Sequence, residues 1–139
     1  MEKLILSDKL DSLQRCLARI EERRADTLEA LLADRDRQDI LSLNLTRAVQ
    51  LCVDMALHVL AAGDEPVPRT MSGAFERLAA RGLISEAVSR RMRAAVGFRN
   101  VAVHSYREID WRIVQAITHE HLDDFRAFGA AVAGLIDRP

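Results

Sequence analysis

The sequence predicts an all-α fold, a bundle of four to six helices with short connections. Two observations carry this. Apolar residues recur at alternating steps of three and four in one segment after another, which is the spacing of a helix buried along one side. No stretch alternates with period two for long enough to be a strand. At 139 residues and 49% hydrophobic composition, residues 1–139 form one domain able to bury a core. There is no repeat and no low-complexity segment.

Taken in order, Ser7 can cap a first helix carrying Leu10, Leu13, Leu17 and Ile20, and the charged stretch Glu21 to Ala25 ends or bends it. Asp26-Thr27-Leu28-Glu29 has the form of a capping box, opening a short helix through Leu31 and Leu32. Asp34 to Asp39 is a loop or an exposed first turn. From Arg37 to Ala62 runs the longest periodicity, with Leu41, Leu45, Ala48, Cys52, Met55 and Val59 on one side and Arg47, Gln50, Asp54 and His58 on the other. Gly63 stops it, and Pro66 and Pro68 stiffen the connector. Thr70 to Arg81 gives a shorter helix with Phe75, Leu78 and Ala79 inward, ended by Gly82. Ser85 opens a helix reaching Ser105, with Val88, Met92, Ala95, Val96 and Val103 on its apolar side. After a turn over Tyr106 to Asp110, Asp110 caps a final helix from Trp111 whose apolar side holds Ile113, Ile117, Phe125, Phe128, Val132 and Leu135.

The chemistry gathers at the end of the Ser85–Ser105 helix. Arg99, Asn100, His104 and Tyr106 fall within eight residues. Arg is a permanent cation whose donors suit phosphate, and His exchanges a proton near neutral pH, so the group reads as a phosphodiester site. Arg99 lies near the centre of the apolar side, where it must snorkel, pair with an acid such as Asp54, or sit where two subunits meet. An unpaired buried charge there would cost at least ~3 kcal/mol. On the other side Arg93, Gly97, Asn100 and His104 follow one another, and Gly97 in mid-helix costs roughly 1 kcal/mol relative to Ala, which points to a close approach by another backbone or a nucleotide. Arg99 and His104, five residues apart, are separated by about 140° around an ideal helix. Either the last turn is distorted, or Arg99 curls around, or the site is assembled from two copies of the segment, which implies a dimer.

The Arg-Asn-x-x-x-His-x-Tyr run resembles the motif of the HepT toxins in the HEPN group of small helical domains. Arg47 to Val59, Pro68-Arg69-Thr70, Phe75, Leu78, Gly82, Ile84 and Val96-Gly97-Phe98 extend the likeness over roughly residues 40 to 130. The resemblance implies a HEPN-type endoribonuclease, the toxin of a toxin–antitoxin pair, that cuts RNA without metal as a twofold homodimer with the two motifs facing across the interface. It further implies an MntA-like nucleotidyltransferase antitoxin that adds AMP to Tyr106. Magnesium-ATP would be used by that partner alone, the chain having no cofactor of its own.

In that reading the 2′-hydroxyl of RNA is the internal nucleophile, His104 moves the proton and Arg99 neutralises the charge on the phosphorane. Asn100 orients the phosphate or holds His104. Asp54 and His58, one turn apart, can support these groups from behind, or form a solvated pair. Arg90, Arg91 and Arg93 can guide the RNA backbone, although such a run is more often a solvated face. Structural alternatives stand beside each: His104 as a cap on the last carbonyls, Asn100 as an interface hydrogen-bonder, Tyr106 as a half-buried anchor.

Bulk charge is −1, so no general basic field attracts nucleic acid. Residues 76 to 112, however, hold eight arginines against four acids, a net of +4 around the motif. Aromatics at 4% are too few for a base-stacking platform. Cys16 and Cys52 lie inside apolar helical patterns and predict reduced core thiols, not a disulfide framework. His119 and His121 point apart and make a poor metal pair. No signal peptide and no membrane span are expected, which makes the cytoplasm the default. Two rivals from other classes remain: a non-catalytic helical subunit of a minimal nucleotidyltransferase, and a dimerisation module whose Arg99 makes interface ion pairs.

Overall fold

The computed structural model describes residues 2–138, and among them every regular element is helical. In chain order these are α1 (Lys3–Arg23), α2 (Leu28–Leu32), α3 (Arg35–Ala61), α4 (Met71–Ala80), α5 (Glu86–His104), a single 3-10 turn (Tyr106–Glu108), α6 (Trp111–Glu120) and α7 (Leu122–Ile136). The all-α expectation holds, with seven α-helices in place of four to six. The extra one comes from the last segment, which breaks at His121 (φ −124°, ψ 8°). Thr118, fully buried, turns its hydroxyl back onto the Gln115 carbonyl, a bond that competes with the helix ladder. Asp123 and Asp124 then favour a fresh N-terminus, where the helix dipole stabilises acids.

Local chemistry sets most of the other boundaries. Thr27, Asp34, Thr70, Ser85 and Asp110 each accept a backbone N–H at a helix start, satisfying donors that would otherwise have no partner. Two expectations shift. Thr27, not Asp26, caps α2, and α1 begins at Lys3 instead of at a Ser7 cap. The second follows from packing, because Leu6 is completely buried and the helix must already be running to place it. At the end of α4, Gly82 adopts φ +72°, and the N–H groups of Gly82 and Leu83 return to the carbonyls of Ala79 and Leu78 at 2.9 Å each. A left-handed residue there favours glycine.

The core is built around α3, which packs against α1, α4, α5, α6 and α7. Leu41, Leu45, Ala48, Cys52, Met55 and Ala56 are all at most 1% exposed. Phe75 of α4 meets Phe128 of α7 edge to face, with centroids 5.3 Å apart. By length and composition α3 is long and apolar enough to cross a membrane, at a mean hydropathy of 1.3, yet 56% of that window is buried inside the bundle. Its apolar side is the core of this fold. Cys52 is fully buried and Cys16 half-buried, both as free thiols. Burial pushes both thiols up from their ordinary range.

Candidate active site at the end of α5

Helix α5 lays Met92, Val96 and Ala102 into the core and turns Arg90, Ala94, Gly97, Asn100, Val101 and His104 outward. Val103, expected on the apolar side, is 49% exposed, while its neighbour Ala102 is the buried residue of that turn. The helix stays regular to its end, with the Ser105 N–H on the Val101 carbonyl at 2.8 Å. A distorted last turn is therefore excluded as the means of bringing Arg99 and His104 together.

Arg99 leans from α5 onto α3. Its Nη2 donates to Oε1 of Gln50 at 3.5 Å and its Nη1 to Oδ1 of Asn100 at 3.2 Å. The Gln50 amide is turned by its other neighbour, since Nε2 donates to Asp54 Oδ1 at 2.9 Å. Asp54 in turn faces Lys9 Nζ of α1 at 3.6 Å. Among the described residues no carboxylate pairs with Arg99, so the direct Asp54 ion pair does not form. A neutral amide stands between the two charged groups, so no carboxylate oxygen touches the guanidinium. Its Nε is buried and meets no acceptor among the described residues.

His104 is exposed on the last turn of α5. Ser105 leaves the helix (φ −148°, ψ 55°), and the 3-10 turn carries Tyr106 back toward the start of α3. There Oη donates a 2.5 Å hydrogen bond to Asp39 Oδ1, and the ring meets Trp111 at 6.0 Å and 70°. Burial first, then the Asp39 carboxylate, push the phenol up to about 12.

The supporting residues divide. Asp54 orients Gln50 and through it Arg99; His58 is half-buried on the same helix, and Asp54 turns to Gln50 and Lys9 instead of to it. Arg93 lies between Glu86 at 3.1 Å and Glu76 at 3.5 Å, and Arg91 pairs with Asp124 at 3.3 Å. Of the three, only Arg90 presents its charge outward with no ion pair among the described residues. His119 Nε2 contacts the Ala25 carbonyl at 2.7 Å while His121 faces Asp124, so these two do diverge. Gly97 lies open: a Cβ there would meet nothing within 4 Å. It borders an apolar cavity of about 520 Å³ shared with Ala94, Phe98, Val101, Ile113 and Ile117. Sequence reasoning missed Gln50 and Asp39 as site residues. Gln50 had a weak signal, its spacing from Asp54 on one helix face, while Asp39 had none, being 67 positions from its partner.

A seven-helix bundle that carries a guanidinium without a carboxylate partner and, farther along the same helix, an exposed imidazole has the architecture of a HEPN-like domain. The chain belongs to the HepT-like ribonuclease family, whose profile, "Ribonuclease HepT-like", matches residues 13–132. It is 33% identical over 124 residues to the mRNA nuclease HepT of Shewanella oneidensis, covering 89% of this chain and 92% of that one. A solved structure of a tri-AMPylated S. oneidensis HEPN toxin in complex with MNT antitoxin superposes with a TM-score of 0.88 at 32% identity, over 94% of this chain and 97% of that chain. The cytosolic protein YutE of Bacillus subtilis, of unknown function, shares the fold at a TM-score of 0.84 and 10% identity, over 99% of this chain and 92% of that one.

Proposed function

We propose that the chain is a toxin endoribonuclease whose cleavage site is formed by Arg99, Asn100 and His104 where two copies meet, and that a nucleotidyltransferase antitoxin silences it by transferring AMP to Tyr106. The 2′-oxygen of the substrate attacks the adjacent phosphorus, the 5′-oxygen leaves, and a 2′,3′-cyclic phosphate remains. His104 carries the proton to or from these oxygens. Arg99 and the Asn100 amide face the charge that builds on the non-bridging oxygens, where a fixed cation helps most.

The observation that carries this reading is the uncompensated Arg99, anchored by Gln50 instead of neutralised by a carboxylate. The angular gap between Arg99 and His104 on a regular helix supports pairing each with its counterpart from a second copy. The open face at Gly97 and the exposed Val101 and Ile113 offer a surface for that copy. AMP on Tyr106, two residues past His104, would add an anionic phosphodiester and a bulky nucleoside where substrate phosphate must sit.

Purified protein should cut RNA in EDTA and leave cyclic phosphate ends. Arg99→Ala and His104→Ala should each abolish cleavage with unchanged circular dichroism. Cleavage that survives both substitutions, or that disappears in EDTA alone, would overturn the proposal.

A further inference from the structure

The Tyr106 hydroxyl, the oxygen that a nucleotidyltransferase would use, is already committed within this chain. It donates to Asp39 Oδ1 at 2.5 Å, and Trp111 fixes the ring edge-on. Asp39 stands exposed on the first turns of α3. Its basic neighbour Arg37 is engaged elsewhere, with Asp34 and the carbonyls of Arg23 and Arg24. The Arg99 network runs through Gln50, Asp54 and Lys9 and does not include Asp39, so the proposed cleavage chemistry leaves this contact unexplained.

We propose that Asp39 is the proton acceptor for nucleotidyl transfer onto Tyr106: the target chain supplies its own general base, and the partner enzyme supplies the nucleoside triphosphate. The inference rests on the reading of Tyr106 as the modified residue. In the step, Tyr106 Oη bonds to the α-phosphorus and the phenolic proton passes to Asp39 Oδ1. The bond from the α-phosphorus to the bridging oxygen breaks, its electron pair leaving on pyrophosphate.

A phenol is a weak nucleophile while its proton stays on, and burial together with Asp39 holds it on in the resting protein. As the new O–P bond forms the hydroxyl becomes strongly acidic, and a carboxylate already at hydrogen-bond distance takes the proton without rearrangement. Afterwards the ester oxygen has nothing to donate, and a phosphodiester anion stands beside the carboxylate. Like charges this close disfavour one another, so the group that accepts the proton also expels the product. The other charged groups on the elements meeting here are Arg35 and Asp36 on α3, His104 on α5, and Arg107 and Glu108 on the 3-10 turn. At the start of α6, Asp110 and Arg112 pair with each other at 2.9 Å.

The test follows AMP transfer from ATP by the cognate nucleotidyltransferase onto the intact chain, with initial rates read by mass spectrometry across pH. Asp39→Asn still accepts the hydrogen bond but cannot take the proton. Transfer to Asp39→Asn and to Asp39→Ala should both fall about 100-fold near neutral pH. The deficit should then shrink by about tenfold per pH unit as phenolate replaces the missing base. Asp39→Asn accepting AMP at the wild-type rate, or remaining slow at every pH, overturns the proposal. Tyr106→Phe is run alongside. Should it still accept AMP, the reading of Tyr106 falls and this inference with it, an outcome distinct from a wild-type rate in Asp39→Asn.

Discussion

At the scale of single residues, what matters is where charge is left uncancelled. Arg99 has no counter-charge in contact because Gln50, not Asp54, is its neighbour across α3 and α5. Replacing Gln50 by Glu places a carboxylate against the guanidinium and should lower kcat about 100-fold, whereas Gln50→Ala, which only loosens Arg99, should cost about tenfold, roughly 1.4 kcal/mol. Steady-state cleavage of one defined RNA separates the two. Tyr106 can be followed directly, since it is the chain's single tyrosine. Ultraviolet titration should show the phenolate only near pH 12, and Asp39→Asn should bring it down toward the ordinary value of about 10. The sign for stability follows. A phenol held above its unfolded value adds stability that is complete below about pH 10 and is lost as pH rises through about 12. With Tyr106 42% exposed, solvent screening keeps the effect small. Tm should therefore fall slightly more steeply in wild type than in Tyr106→Phe across that interval.

At the scale of elements, α5 does two jobs with two faces. Met92 and Val96 tie it to the core, and the face centred on Gly97 is the one on which the proposed second copy would sit. Nothing within the chain would meet a Cβ at position 97, so Gly97→Ala should stabilise the isolated chain by about 0.5–1 kcal/mol, the cost glycine carries in a helix. Gly97→Leu should instead separate the two copies and abolish cleavage, as read by analytical ultracentrifugation and activity together. A Gly97→Leu protein that is dimeric and active would show that this face is not where the copies meet. Elements were largely legible in advance, because caps and periodicity are local. The exceptions are the start of α1, set by a buried Leu6, the cap of α2, which falls on Thr27, and the break at His121, which depends on a buried Thr118 hydroxyl; burial is not written in the local pattern.

At the scale of the whole molecule, the proposed site is divided between two copies. A regular α5 sends Arg99 toward α3 and leaves His104 in solvent, the arrangement from which the two-copy site is proposed. Mixing inactive Arg99→Ala with inactive His104→Ala protein should restore up to about a quarter of wild-type cleavage, because half the dimers are then mixed and each holds one intact composite site. Mixtures that stay inactive after demonstrated subunit exchange would rule out a site that takes Arg99 from one chain and His104 from the other. The local charge of +4 over residues 76 to 112 is also reshaped by folding. Glu76 and Glu86 hold Arg93, Asp124 holds Arg91, Glu65 holds Arg77 and Asp110 holds Arg112, so that among the described residues Arg81, Arg90, Arg99 and Arg107 are the arginines of this stretch with no ion pair.

The sequence alone determined the helical class, the central α3, the start signals at Ser85 and Asp110, and the grouping of Arg99, Asn100, His104 and Tyr106 within eight residues. Each of these is a relation between residues at most a few turns apart, which spacing and propensity record. Tertiary structure alone decided that Gln50 would separate Arg99 from Asp54, that Asp39 would receive the Tyr106 hydroxyl, and that two of the three basic candidates would be neutralised. Those outcomes join side chains dozens of positions apart, and only the packing of α3 against α5 and the turn that follows sets their distance.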